Sequence, residues 1–249
     1  MQEHLKGLGD FTPDELADMQ AAASALDVDR IDLSRYGATA QPAALSDVIG
    51  GSPPLARVIG DLHDALTDAN PETVMKSRGW LARWTGKSIE SELRYRTACD
   101  RITELVSAGR VVIEQSDGFA ARLDSLLAEY GTITRALRRD IGVGRLALTA
   151  QRAEVGAELQ IGDGPRERLA LRLTNLATIL QSSEQAQAQL TLMKSQLAGQ
   201  VARLGQAVEV LVTVWRHHAL LVLTQSSAPQ ELRSAYAGAL KSLSGETSR

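Results

Sequence analysis

The feature of the sequence that most constrains its fold is a heptad pattern of apolar residues in the second half of the chain. Apolar side chains recur every seven positions, and a second set is interleaved with the first over about 50 residues. An average spacing of 3.5 residues is typical of long helices whose apolar seams pack against other helices. The pattern therefore predicts one helix over about 165–225. The first set is Leu169, Leu176, Ser183, Leu190, Leu197, Leu204 and Leu211, and the second is Leu173, Leu180, Gln187, Lys194, Val201, Val208 and Trp215.

A second pattern of the same kind lies in the middle of the chain. Steps of three and four residues from Ile102 to Ala147 fall mostly on apolar side chains, which predicts a helix over about 89–160. The stretch Gly142-Val143-Gly144 lies beside an irregular step in this pattern, and we interpret it as a place where the helix breaks or changes phase. Gly162-Asp163-Gly164-Pro165 predicts a turn, and so short a connection makes the two long helices antiparallel.

The surface of the last long helix carries very little charge. The positions that flank its seam are mostly alanine, valine, isoleucine and methionine, whereas a two-stranded coiled coil would have lysine and glutamate there, so a bundle is favoured. Between Leu173 and Ala202 the only charged residues are Glu184 and Lys194. Two interpretations stay open: an ordinary solvated face, or a surface covered by another chain or by the amino-terminal segment.

Shorter helices are predicted around the two long ones. Residues 13–26 form the first, because Thr12 is a suitable N-cap residue, Pro13 suits the first turn and Glu15 completes a capping box. The sequence thus predicts an all-α protein, an elongated helical bundle built on a long antiparallel coiled-coil-like hairpin. Further short helices are expected near 38–49, over about 53–69, between Pro71 and Gly86, and near 229–243. The predicted segments are an amino-terminal cap over 1–86, the hairpin over 87–225 and a carboxy-terminal tail over 226–249.

Composition and charge exclude several classes of protein. The apolar fraction of 44% is too high for a wholly disordered chain, and a single cysteine cannot form an intrachain disulfide. The net charge of −3 does not fit a dedicated duplex-DNA binder, so no nucleic-acid partner is expected. The most apolar stretch, from Ala207 to Leu223, contains Glu209 and Arg216, so we expect no integral membrane segment. No signal-peptide pattern follows Met1, and the expected location is the cytoplasm.

The spacing of reactive residues does not indicate a catalytic, metal or cofactor site. His217 and His218 are adjacent on a predicted helix, so their side chains point about 100° apart and do not converge on one metal ion. Cys99 has Arg96 and Arg101 close in sequence, which leaves two alternatives: a thiol activated by a lowered pKa, or an inert buried or half-buried cysteine. We therefore expect a protein that is not an enzyme and holds no cofactor.

Arginine clusters are the sequence's main candidates for binding an anion. Guanidinium groups are planar forks that match the geometry of oxyanions. One cluster lies in the first long helix, where Asp140 is the only opposing charge, and the other lies at the start of the second long helix. The alternative is a solvated basic face with ordinary ion pairs. The candidate residues are Arg135, Arg138, Arg139, Arg145, Arg166 and Arg168.

Several short motifs follow one another in a particular order. They are Ile31-Asp32, the stretch Tyr36-Gly37-Ala38-Thr39-Ala40-Gln41, the glycine-bounded stretch from Gly79 to Gly86, the block from Arg168 to Leu197, and Thr213-Val214-Trp215-Arg216. Taken together, the motifs resemble the TelA type of toxic anion resistance proteins, a bacterial family linked to tellurite resistance. One departure is Val214, where the family usually has proline. The resemblance implies a phenotype and no catalytic residues.

Three functional hypotheses follow from the residues and the resemblance. The first is a non-enzymatic scaffold or adaptor of the toxic anion resistance type, with a protein partner or a second copy of the chain. The second is direct oxyanion binding through the arginine clusters. The third is a peripheral, envelope-associated coiled-coil module, for which the predicted tail helix near 229–243 offers only Arg233 and Lys241 as basic residues. The residues predicted to pack against a partner are Trp80, Trp84, Gln187 and Trp215.

Overall fold

A computed structural model of the chain describes residues 11–38, 50–70, 87–154 and 164–225, with seven positions between 230 and 243. Within these residues the protein is helical and contains no strand, which confirms the all-α prediction. The described tail positions are helical as well, and Leu243 among them is buried. The helices are α1 (Pro13–Ala25), α2 (Leu55–Asp68), α3 (Lys87–Glu154), α4 (Pro165–Gln206), a π-helical turn (Ala207–Leu211) and α5 (Val212–Gln225).

Helix α1 begins as its sequence predicts. The backbone N–H of Glu15 donates to the Thr12 hydroxyl at 3.3 Å, and the Thr12 N–H donates to the Glu15 carboxylate at 2.8 Å. These reciprocal bonds satisfy two backbone donors that a helix start otherwise leaves without partners, and Pro13 needs no donor at the first position. The capping box is therefore confirmed, and it places the Glu15 side chain at the start of α1.

The chain forms two compact units, and each contains part of both long helices. Unit 1 comprises Met1–Leu45 and Leu123–Leu192, and unit 2 comprises Ser46–Arg122 and Met193–Arg249. The boundaries fall inside α3 and α4, so each unit combines one amino-terminal segment with one stretch of each long helix. The division into a cap over 1–86, a hairpin over 87–225 and a tail over 226–249 stays a prediction.

In unit 1, α3 and α4 pair antiparallel around an apolar core. Arg138 of α3 lies against Glu184 of α4, while Gly144, further along α3, lies against Leu173, which comes earlier in α4. The core cluster joins both helices to α1 and to the loop that follows it. Its buried members are Met19, Ala23, Val28, Ile133, Leu137, Ile141, Val143, Ala147, Leu169, Leu173, Leu176 and Leu180.

Helix α3 runs without interruption through Gly142 and Gly144, so the predicted break at this stretch is wrong. A Cβ atom on Gly144 would lie 2.6 Å from the Leu173 side chain and 3.0 Å from the Tyr36 hydroxyl. Glycine is present here because two neighbouring segments approach the helix closely, and the helical hydrogen bonds continue past it.

The predicted heptad positions largely coincide with the buried positions of α4, the π-helical turn and α5. Every member of the first set, from Leu169 to Leu211, is buried. The second set is buried at its two ends, whereas Gln187 and Val201 are half-buried and Lys194 is exposed. The apolar seam therefore decides which side of the helix faces the core, as the 3.5-residue spacing predicts.

Unit 2 packs α2 against its part of the long helices. The apolar face of α2 is buried from Leu55 to Leu66, and the indole N–H of Trp215 donates to the carbonyl of Ala69 at 2.9 Å. Gly109 of α3 lies against Leu204 and Val208. The π-helical turn at Ala207–Leu211 is not predicted by the sequence. Its residues Ala207, Val208 and Leu211 are buried, and so is Val212, which follows it.

Several predictions fall outside the described residues. They are the short helix near 38–49, the helix between Pro71 and Gly86 with Trp80 and Trp84, and most of the turn at 162–165. Among the helices that are described, none has the length and apolar character that crossing a bilayer requires.

Candidate functional site

The Tyr36-Gly37 motif holds the amino-terminal segment of unit 1 on both long helices. The Asp32 carboxylate accepts hydrogen bonds from the N–H and hydroxyl of Ser34, which forms a tight turn just before Tyr36. The Tyr36 hydroxyl donates to the Asp140 carbonyl at 2.5 Å, and the Arg172 guanidinium donates to the Tyr36 carbonyl at 2.9 and 3.1 Å. One residue thus joins the segment to α3 through its side chain and to α4 through its backbone.

Gly37 is required at the next position for two reasons. Its φ of +64° lies in the left-handed region, which side chains with a Cβ atom disfavour. A Cβ atom there would also lie 2.5 Å from the buried Leu176 side chain. The motif therefore has a structural role in unit 1.

Burial in this contact changes the acidity of two groups. Desolvation raises the pKa of the Tyr36 phenol far above its usual value, and the nearby Asp140 adds to that rise. Burial also raises the pKa of the Asp140 carboxyl, although the Arg139 charge opposes the rise. On the exposed turn, by contrast, hydrogen bonds from Ser34 lower the pKa of Asp32.

The structure does not bring the six candidate arginines together at one site. Arg138 pairs with Glu184 across unit 1, with Nη2 at 2.8 Å from the carboxylate. Arg135 and Arg139 are exposed on α3, and Arg145 is half-buried. The other two, Arg166 and Arg168, are exposed in the first turn of α4. Two of the six, Arg135 and Arg138, line one cavity.

That cavity lies wholly within unit 1 and has a volume of about 280 Å³. Thr134, Arg135 and Arg138 of α3 form one wall, and Gln187 of α4 faces them beside Gly131. Phe11 and Glu15 complete the lining from the start of α1. Hydrogen bonds from Thr12 lower the pKa of Glu15, with a smaller contribution from the Arg135 charge, so Glu15 is a carboxylate at neutral pH.

Thr134 is the unusual residue in this lining. It is only 4% exposed, and its hydroxyl has no hydrogen-bond partner among the described residues. Nine other threonines in the described helices donate their hydroxyl to the carbonyl four residues earlier, among them Thr132 in the same helix. Sequence reasoning missed Thr134, although a polar residue beside the seam residue Ile133 was the available signal.

A second feature of unit 1 is the uncharged outer surface of α4. Every exposed residue from Ala170 to Leu192 is uncharged, because Arg172 and Glu184 are half-buried in contacts within the unit. Three large apolar side chains on this surface are 65%, 44% and 58% exposed, namely Leu171, Ile179 and Leu192. We call this surface the α4 face; its polar members are Thr174, Asn175, Thr178, Gln181, Ser182, Gln185, Gln189 and Thr191.

Comparison of the sequence with curated proteins identifies a relative. Protein KlaA of Escherichia coli is 31% identical over 198 residues, which cover 76% of this chain and 76% of KlaA. The chain belongs to the KlaA family. No family model matches the sequence, and no solved structure matches it.

Two of the residues predicted to pack against a partner are described in this KlaA-family protein. Trp215 is buried in unit 2, where its indole bonds to Ala69, and Gln187 is half-buried in the lining of the cavity. Trp80 and Trp84 lie outside the described residues.

The reactive residues of the KlaA-family chain are placed as follows. Cys99 is half-buried, and burial raises the pKa of its thiol, which favours the alternative of an inert cysteine. His217 is exposed and His218 is buried, as expected for adjacent residues on a helix. Among the described residues, no three histidine, cysteine, aspartate or glutamate side chains are placed so that they could hold one metal ion.

Proposed function

We propose that this KlaA-family protein is a non-catalytic helical adaptor in resistance to toxic anions such as tellurite, and that it acts in the cytoplasm. Membership of the KlaA family and the resemblance of the sequence motifs to TelA-type proteins support the resistance role. The adaptor role is carried by one observation, the uncharged α4 face of unit 1.

The absence of charge is what favours a binding role for the α4 face. Exposed helix surfaces usually carry interspersed lysine, arginine and acidic residues, and the outer face of α3 in the same unit does so with Asp124, Glu129, Arg135 and Arg139. Cores of protein interfaces are depleted in charge, because burying an unpaired charge is costly. The α4 face meets that condition over about six helical turns, at 3.6 residues a turn.

The chemistry of the α4 face indicates the kind of partner. Most of its side chains are small and polar, with Leu171, Ile179 and Leu192 as the large apolar contacts. Such a surface is too polar for a permanent homodimer, whose interface resembles a protein core. We therefore assign it to a different protein that presents a helix with an equally uncharged face and associates reversibly.

The catalytic alternative requires a reactive group. Burial raises the pKa of the Cys99 thiol, which lowers the fraction of thiolate at neutral pH and makes Cys99 a weak nucleophile. We therefore propose that the protein acts by binding and carries out no chemical turnover.

The test places charge on the α4 face without disturbing the helix. The variant Gln181→Lys/Gln185→Lys exchanges exposed residues of similar helix propensity, and Ser125→Lys/Ala128→Lys is the matched control on exposed positions of α3. Cells lacking the protein are complemented with each form and grown on tellurite, and circular dichroism checks folding. We expect the control to restore resistance and the α4 variant to fail.

Two results would overturn the adaptor role. One is full resistance with the folded α4 variant. The other is reduction of tellurite by an added thiol that is faster with the purified wild-type protein than without it. A wild-type dimer that the α4 substitutions dissociate would show that the α4 face binds a second copy of the chain, which contradicts the proposed partner.

A further inference from the structure

We propose that the cavity of unit 1 binds a free amino acid or a closely similar small zwitterion. The inference stands independently of the adaptor role, because it rests on the cavity lining and not on the α4 face. Three features carry it: a buried hydroxyl without a partner, opposite charges on two sides of the lining, and a volume that suits a small organic molecule.

The first feature is the Thr134 hydroxyl. A buried polar group without a hydrogen bond is destabilising, and in the described helices threonines avoid that state by donating to the carbonyl four residues earlier. Thr134 does not use this local solution, although the Tyr130 carbonyl lies four residues before it. A ligand carboxylate in the cavity would accept a hydrogen bond from the hydroxyl and remove the penalty.

The second feature is the distribution of charge. Arg138 is neutralised by Glu184, so Arg135 is the guanidinium left to meet a ligand in the lining. Glu15 supplies a carboxylate from α1. A lining with one positive and one negative group favours a ligand that carries both charges, and it disfavours a multiply charged anion, which Glu15 would repel.

The third feature is size. The cavity volume of about 280 Å³ falls just below the range of pockets for drug-sized ligands, which begins at roughly 300 Å³. A bare inorganic oxyanion would leave most of this space empty. In the proposed arrangement Arg135, Thr134 and the Gln187 amide hold the ligand carboxylate, Glu15 holds its ammonium group, and Phe11 contacts its side chain.

Binding is tested with the full chain. The standard L-amino acids are screened singly at about 10 mM by thermal shift, and the best of them is titrated by calorimetry. The same titration is made with two analogues that each lack one charge, the desamino acid and the decarboxylated amine. It is also made with three inorganic anions, sulfate, phosphate and tellurite. We expect the amino acid to bind at least tenfold more tightly than either analogue that lacks one charge, on the basis that a charge-assisted contact is worth roughly a tenfold change in affinity.

Matched variants assign the contacts. Thr134→Val removes the hydroxyl at nearly constant volume, and Thr132→Val is its control on the exposed side of α3. Arg135→Gln is compared with Arg139→Gln, which lies outside the cavity. We expect roughly tenfold weaker binding in each cavity variant and unchanged binding in each control. Glu15→Gln retains a side chain that can cap the helix. It should therefore weaken binding of the amino acid and leave binding of the desamino acid unchanged.

The outcomes that overturn the proposal are distinct from those that overturn the adaptor role. The absence of a thermal shift with every standard amino acid would contradict the binding of an amino acid in the cavity. Equal binding by the desamino acid, or binding by the inorganic anions alone, would remove the role of Glu15. Unchanged affinity in Thr134→Val and Arg135→Gln would place the ligand elsewhere, and none of these results bears on the α4 face.

Discussion

The two units hold their amino-terminal segments on the long helices with different kinds of structure, a helix in unit 2 and a loop in unit 1. In unit 2 the segment is the amphipathic helix α2, whose apolar face is buried from Leu55 to Leu66, and Trp215 adds one hydrogen bond to its end. In unit 1 the chain after α1 is an irregular loop that buries Val28 in the core. Individual contacts of Tyr36 with Asp140 and Arg172 add to its placement. A helix can be placed by burial of one regular face, whereas this loop combines burial with specific polar contacts and close approaches.

The largest expected effect is on the buried face of α2. Leu62 is fully buried, so Leu62→Ala should lower the free energy of unfolding by about 2–5 kcal/mol through lost burial and a residual cavity. Urea denaturation measures this. Gly60→Ala on the exposed side of the same helix is the control; its Cβ atom meets nothing within 4 Å, and it should stabilise the protein by about 0.5–1 kcal/mol. A small loss in Leu62→Ala would contradict placement by burial.

The next effect is on the loop of unit 1. Gly37→Ala forces a side chain into the left-handed region and into contact with Leu176, so we expect a loss of about 1–3 kcal/mol in unfolding free energy. The opposite signs of Gly37→Ala and Gly60→Ala in the same urea experiment would separate a required glycine from a dispensable one. Equal stabilisation by both would show that the loop is not held by close approach.

Removing a single polar contact should have a smaller effect. Tyr36→Phe deletes the hydroxyl that donates to the Asp140 carbonyl and keeps the ring, so the expected loss is about 0.5–1.5 kcal/mol. Hydrogen exchange should show faster opening in residues 26–38 than in α2. Uniformly faster exchange in both units would mean that this contact does not serve unit 1 alone.

The same tyrosine predicts a dependence on alkaline pH. Burial raises the pKa of Tyr36, so above about pH 10 the unfolded chain releases a proton that the folded chain retains. Stability contributed by the protonated phenol is complete below pH 10 and falls as the pH rises beyond it. Urea midpoints at pH 9 and pH 11 should differ less in Tyr36→Phe than in the wild type, with Tyr95→Phe, whose phenol also has a raised pKa, as the counterpart in unit 2.

The smallest effect is expected from the ion pairs. A double-mutant cycle on Arg138 and Glu184 should give a coupling of about 0.2–1 kcal/mol, because both side chains are more than one-third exposed. The more open pair Arg57 and Asp61 in unit 2, with charged atoms 3.9 Å apart, should give less. A coupling that exceeds the loss in Gly37→Ala would show that charge, more than close packing, holds unit 1 together.

The sequence by itself determined the helices and the sides on which they are buried. Burial of Leu169, Leu176 and the rest of the first set follows from a repeat that any long helix with that spacing must present on one side. The capping box at Thr12 is likewise local, since its two partners are three residues apart. Both features depend only on helix geometry and nearest neighbours, so periodicity and residue type were sufficient to predict them.

Only the tertiary structure decided how the polar residues are used. Tyr36 meets Asp140 and Arg172 across 104 and 136 residues of sequence, and Gly144 looked like a break until its neighbours were known. Of the six candidate arginines, folding brought two to one cavity and set Thr134, which no pattern had indicated, beside them. Such contacts depend on which turns of two distant helices face each other, and a repeat that looks alike at every turn does not specify that register.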